Sequence, residues 1–178
     1  MEFEIVKFFN HLWAGTFVDQ VTFVISKRSF LLILFFLILA AIYIFEKKDR
    51  KKIIAGLILS VIFYYIFSEF LFKYFITNFI PGRIRPYIAH PGEIFPIGSN
   101  MSNDSSFPSS HMVGAVAFFW SLIYHYRKLI IPGTIFVFIV AFARLHNGMH
   151  YPSDIIAGVI IGIFCGSLAL FTINKIKI

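Results

Sequence analysis

The tetrapeptide Pro108-Ser109-Ser110-His111 stands directly against an apolar run that begins at Met112. Serines are ordinary helix N-caps and proline an ordinary residue before a helix, so the first three residues need no further role. His111 does, because a cap has no use for it. Further along, "ARLHNGMHYPSD" gathers Arg144, His146, His150 and Asp154, and "GRIRPY" supplies Arg83 and Arg85. Arginines without a matching excess of carboxylates suit a phosphate or carboxylate ligand, and a helix opening on Ser-Ser-His offers N–H groups and a positive dipole end to an anion. Asp154, four residues after His150, can bond one ring nitrogen and leave the other as a nucleophile. His111 is then available for acid–base work. These residue types point to phosphoryl transfer through histidine.

Zinc is the competing use of the same residues, since His146 and His150 have the i, i+4 spacing of a helical ligand pair. The intervening Asn147-Gly148 and the nearby Pro152 predict a turn instead. With no cysteine and few carboxylates close by, neither a metal nor another cofactor is expected. His146 is read as a loop or supporting residue, and His11, His90 and His125 as structural. Glu69 lies inside an apolar run with Lys73 one turn on, which predicts a structural ion pair.

The elements that must position these residues are membrane helices. The chain is 58% hydrophobic and 14% charged, with a mean hydropathy of +0.81, far outside the range of soluble domains. Its 178 residues leave room for about five or six spans of roughly 20 residues. The expected fold is therefore an all-α polytopic bundle forming a single domain over residues 1–178. Apolar runs predict spans over Ser29–Phe45, Ile53–Phe72, His111–Tyr126, Leu129–Leu145 and Asp154–Ile173. In "EIVKFFNHLW", Ile5, Phe8, Phe9 and Leu12 fall at helical spacing, which predicts an N-terminal interfacial amphipathic helix, or alternatively a sixth span. The single cysteine, Cys165, lies in an apolar run and forms no intramolecular disulfide.

Basic residues cluster in "EKKDRKK" (Glu46–Lys52), at Arg127 and Lys128, and at Lys175 and Lys177. The positive-inside rule makes these sites cytoplasmic and turns the links Pro81–Ser110 and His146–Ser153, which carry the unusual chemistry, outward. The net charge of +7 is mostly this topology signal, and no nucleic-acid partner is inferred from it. Gly158, Gly162 and Gly166 form a small-residue stripe that lets another helix approach closely, fixing His150 and Asp154.

Three motifs now stand in order: Arg85-Pro86, "PSSH" at Pro108 to His111, and Arg144, His150 and Asp154 in the pattern R-x5-H-x3-D. Together they resemble the three-part signature of the type 2 phosphatidic acid phosphatase superfamily, over Lys73 to Gly166. The resemblance implies a metal-independent membrane lipid phosphatase, with His150 as nucleophile, Asp154 orienting it and His111 as general acid and then base. It implies that Arg85, Arg144 and the Ser109-Ser110 backbone hold the phosphate oxygens. Where the family pattern has a lysine, this chain has Asn78; Arg83, in the outer loop, is the expected substitute, ahead of Lys73. Ser110 replaces the family's glycine and Ala143 its serine.

By the same resemblance the substrate is a lipid phosphate: lipid A 1-phosphate or undecaprenyl diphosphate, ahead of phosphatidylglycerophosphate and phosphatidic acid. The expected location is a bacterial inner membrane with the site facing the periplasm or outside, and no obligate protein partner is evident. A lipid-to-lipid phosphotransferase and a non-catalytic lipid-phosphate carrier are the alternatives; the carrier lacks the repeats or broken helices that transport usually needs.

Overall fold

The computed structural model describes residues 1–98 and 104–176, and among them there are helices and turns but no strand. Lys177, one of the basic residues in the topology reading, lies outside the described residues. Two short helices, α1 (Glu2–His11) and α2 (Phe17–Ile25), precede the long α3 (Arg28–Phe45). Next comes α4 (Arg50–Tyr64), which runs on without a break through a π-helical stretch, Tyr65–Phe75, and a 3-10 turn, Ile76–Asn78. A single turn, α5 (Pro86–Ala89), lies in the following loop. The chain closes with α6 (Ser110–His125), a 3-10 turn at Arg127–Leu129, α7 (Ile130–His146) and α8 (Pro152–Lys175).

Among the described residues, four helical segments are long and apolar enough to cross a membrane: Arg28–Phe45, Arg50–Asn78, Arg127–His146 and Pro152–Lys175. The protein is an integral membrane protein. The fifth predicted run forms α6, whose 16 residues extend about 24 Å at 1.5 Å per residue. That is short of the roughly 20 residues a span usually takes, because the backbone leaves helical geometry at Tyr126 (φ −123°, ψ 80°). At the N-terminus, Glu2–His11 form α1. α2 falls in the stretch that Asp19 and Gln20 interrupt, where no separate helix was expected, and it starts because the Thr16 hydroxyl accepts from the Val18 N–H at 3.2 Å.

α6 occupies the middle of the bundle and packs on α8 along the glycine stripe. A Cβ on Gly158 would lie 2.6 Å from the Met112 Cβ, and one on Gly162 2.6 Å from the Val116 Cβ. Both would force the helices apart. At the third glycine, Gly166, an added Cβ would stand 2.9 Å from the Ala117 carbonyl oxygen. This close approach holds the start of α6, which carries His111, against the start of α8, which carries Asp154.

The bundle has two chemically different ends. At one, the Tyr126 hydroxyl after α6 donates to Glu46 after α3 at 3.2 Å, which joins the two basic links. The other end collects the starts of α3, α6 and α8 and the finish of α7. The N-terminal pair is fastened there: Asn10 donates to the carbonyls of His146 (2.6 Å) and Phe95 (2.8 Å). Buried His146 bonds the Phe9 carbonyl and the Asp19 carboxylate, each at 2.8 Å. His146 is thus a tie between α7 and the N-terminal helices, in keeping with its supporting role.

Candidate active site

A turn between α7 and α8 presents His150. Gly148 makes it with φ +67°, where an added Cβ would stand 2.6 Å from Ile94, so the position favours glycine on both conformational and steric grounds. Pro152 then opens α8 at its first position, where the missing N–H costs nothing. Asp154 caps the helix by accepting the Tyr151 N–H at 2.8 Å.

His150 is 1% exposed and its two nitrogens face opposite kinds of partner. Nδ1 lies 2.8 Å from the Ser106 carbonyl oxygen, an acceptor, so Nδ1 carries the proton. Nε2 lies 3.2 Å from Nη2 of Arg144 and 3.5 Å from Nη1 of Arg85. Those are donors, so Nε2 presents a lone pair. Burial first, and then the charges of Arg144, Arg85 and Lys73, hold this imidazole well below its ordinary pKa. A neutral ring whose unprotonated Nε2 sits between two guanidinium groups has the chemistry to attack an anion that those groups hold.

The geometry around Asp154 departs from the expected direct His150–Asp154 hydrogen bond. The nearest carboxylate oxygen is 3.8 Å from Nδ1. The Ser106 hydroxyl stands between, donating to Oδ2 at 2.5 Å and lying 3.5 Å from Nδ1. The Ser106 carbonyl takes the ring proton because the loop before α6 runs closer to the imidazole than the first turn of α8 does. Asp154 is fully buried, and Arg83 meets its other oxygen at 2.7 Å. Charge alone left unpaired there would be costly.

Arg83, expected on the phosphate, is not among the residues that line the cavity beside His150. Its guanidinium is held by Asp154, by Ser153 at 2.6 Å and by Glu2 at 2.6 Å, all away from the cavity beside His150. Lys73 lines that cavity instead, together with Arg85, Arg144, Ser110, His111 and His150. Lys73 therefore does not pair with Glu69; it bonds Asp104 at 2.8 Å, while Glu69 meets Arg28 at 3.5 Å. Each found its opposite charge on another element. Asp104 also holds Arg85 at 2.6 Å, and the Met149 carbonyl accepts from the same guanidinium at 3.0 Å.

Of the remaining predicted residues, Ser110 lines the cavity and its hydroxyl accepts from Ser68 at 3.2 Å. Ser109 does not reach it: its N–H is taken by the Asp154 carbonyl at 3.1 Å. His111 lines both this cavity, of about 600 Å³, and an adjoining apolar groove of about 280 Å³. Its Nε2 is buried with no hydrogen-bond partner among the described residues. Arg144 Nε is likewise buried and unpartnered among the described residues. Buried polar atoms without partners, gathered on one cavity, mark where a ligand's oxygens fit.

Sequence reasoning missed Asp104 and Ser106, which organise Arg85, Lys73 and His150 from the loop before α6. Their only signal was the Ser- and Asp-rich run "NDSSFPSSH", which reads as a solvated loop. It also missed Lys27 and Arg28, which line the same cavity.

An undecaprenyl-diphosphatase, BcrC of Bacillus subtilis, is 28% identical over 171 residues, covering 94% of this chain and 82% of that protein. A lipid A 1-phosphatase of Rhizobium johnstonii is 35% identical over 123 residues, 65% of this chain and 49% of its own length. Among solved structures, a PAP2-type phosphatidylglycerolphosphate phosphatase from Bacillus subtilis superposes with a TM-score of 0.68 at 21% identity, covering 99% of this chain and 86% of its own. LpxE of Aquifex aeolicus gives 0.66 at 22% identity, covering 94% and 93%. Residues 53–177, which carry all three motifs, match the PAP2 superfamily, and the chain belongs to that superfamily.

Proposed function

We propose that the protein is a membrane lipid phosphatase that works through a phosphohistidine on His150 and needs no metal ion. The observation that carries this reading is Nε2 of His150, its lone pair turned toward a cavity between Arg85 and Arg144. A substrate phosphoryl group seated there has its oxygens on Lys73, Arg85 and Arg144 and its phosphorus within reach of Nε2. Attack forms the N–P bond and expels the lipid oxygen, to which His111 gives a proton. His111 then takes a proton from water, which attacks phosphorus, releases inorganic phosphate and restores His150. Asp154 acts on His150 through Ser106, stabilising the charge that the ring gains on attack. Three cationic side chains around the reacting atom repel a divalent cation, which supports the metal-free mechanism.

In this reading α6 is a fifth span, and α1 with α2 lies at the interface on the side of the site. The basic links at Glu46–Lys52 and Arg127–Lys128 face the cytoplasm, and the site opens to the periplasm or the outside of a bacterial inner membrane. The apolar groove beside His111 supports an amphipathic substrate, whose tail stays in an apolar setting while its phosphate reaches the cavity. Lipid A 1-phosphate and undecaprenyl diphosphate are the proposed candidates, in line with the relatives named above. Purified protein in detergent with EDTA should release inorganic phosphate from members of a lipid phosphate panel. Release that appears only on adding zinc or magnesium contradicts the mechanism, and binding without release makes the protein a carrier.

A further inference from the structure

The cavity holds more positive charge than one phosphoryl group uses. Lys73, Arg85 and Arg144 line it together with His150, and the junction of α2 and α3 adds Lys27 and Arg28 to the same lining. Lys27 is the N-cap and Arg28 the first residue of α3. Cations there face the positive end of the helix dipole, an arrangement that is unfavourable without an anion between them. Arg28 is also held loosely. Its guanidinium makes a single 3.5 Å contact with Glu69 among the described residues, and its side chain is 64% exposed. The other Glu69 oxygen is buried without a partner among the described residues, so this pair does not satisfy either group.

Position gives Arg28 its meaning. Together with Ser110 and His111 it lines both the phosphate cavity and the apolar groove. A lipid with its tail in the groove and its terminal phosphoryl group at His150 spans the boundary that Arg28 shares with Ser110 and His111. Resting on the phosphatase reading above, we propose that Arg28 is the specificity-determining residue: it grips the second, lipid-proximal phosphate and so favours lipid diphosphates over monophosphates.

The chemistry follows directly. Nε2 of His150 bonds to the terminal phosphorus, and the bond from that phosphorus to the bridging oxygen breaks. The electron pair stays on the bridging oxygen, which becomes an oxygen of the departing lipid monophosphate. Arg28 stabilises that developing charge. Water then hydrolyses the phosphohistidine to inorganic phosphate and free His150. With a lipid monophosphate the departing group is an alcohol, and Arg28 has no anion to hold.

The test uses two substrates with one tail, farnesyl diphosphate and farnesyl monophosphate, on the full-length protein in detergent. The wild type should show the higher kcat/KM on the diphosphate. Arg28→Ala and the closer-sized Arg28→Gln should lower that value by about tenfold or more, the size expected for a charge-assisted hydrogen bond, while the monophosphate value falls far less. Arg28→Lys should keep part of the preference. Pyrophosphate should also inhibit the wild type more strongly than phosphate does, and the Arg28 variants should lose that difference. Equal losses on both substrates, or an unchanged preference in all three variants, overturn the role of Arg28 alone. A wild type that hydrolyses neither substrate overturns the phosphatase reading and this one with it.

Discussion

Nδ1 of His150 and the Asp154 carboxylate stand 3.8 Å apart, and the Ser106 hydroxyl fills the gap between them. Ser106→Ala removes the hydroxyl but keeps the carbonyl that holds the ring proton. Its kcat should fall by about tenfold, as for the loss of a hydrogen bond to a charged group, with KM little changed. Asp154→Ala should lose more activity and also stability, since it strips Arg83 of its buried partner and α8 of its cap. Steady-state kinetics with a thermal melt separate the two; wild-type turnover in Ser106→Ala would remove the bridge from the mechanism.

A neutral His150 has a pH signature. Its pKa is depressed in the folded protein, so between its ordinary value near 6.5 and the lower folded value the unfolded chain binds the extra proton. The group's contribution to stability is therefore complete above about pH 6.5 and declines as pH falls toward the folded pKa. In ¹⁵N NMR of histidine-labelled protein, the Nε2 resonance of His150 should stay at the unprotonated position well below pH 6.5. Titration at the ordinary value would mean that burial and the arginines do not control the ring.

The anion clamp predicts a contrast between neighbours. Arg85→Ala and Arg144→Ala should each lower kcat by about 10²- to 10³-fold, because they touch the group whose charge is redistributed at the transition state. Lys73→Ala should cost activity with little change in the melt. Arg83→Ala should do the reverse in proportion, lowering the melting temperature through the Glu2–Arg83–Asp154 network. Equal kinetic losses in Arg83→Ala and Lys73→Ala would return Arg83 to the phosphate.

Packing of α6 on α8 is tested at Gly162. A Cβ there meets the Val116 Cβ at 2.6 Å, so Gly162→Ala should destabilise by about 1 to 3 kcal/mol, the usual cost of overpacking. It should also weaken turnover, since the same contact holds His111 against Asp154. An unchanged melt and unchanged kinetics would show that the helices can part without harm.

Much of the site was legible because phosphoryl chemistry needs particular residue types: His111, Arg144, His150 and Asp154 stood out in a chain with little charge. The long spans were legible because lipid demands continuous apolar helices. What stayed hidden depends on which partner wins when several are in reach. Arg83 was preferred to Lys73 for one phosphate contact on its loop position alone, and only folding shows Glu2 and Asp154 drawing Arg83 away. Ser106 acts through its backbone carbonyl as well as its hydroxyl, and a carbonyl has no sequence signature. The π-helical winding of Tyr65–Phe75, which carries Glu69 and Lys73, is equally silent in an apolar run.

The central claim is that His150 carries the phosphoryl group and His111 moves the protons. It is tested most directly by brief mixing with a labelled aryl phosphate, an acid-free denaturing quench, and a search for acid-labile, base-stable label on the protein. The wild type should label transiently. His111→Ala should still label, because an aryl leaving group needs no proton, and should accumulate label because water is no longer activated; His150→Ala should show none. Label on His150→Ala, or equal loss of labelling in both variants, would contradict the assignment.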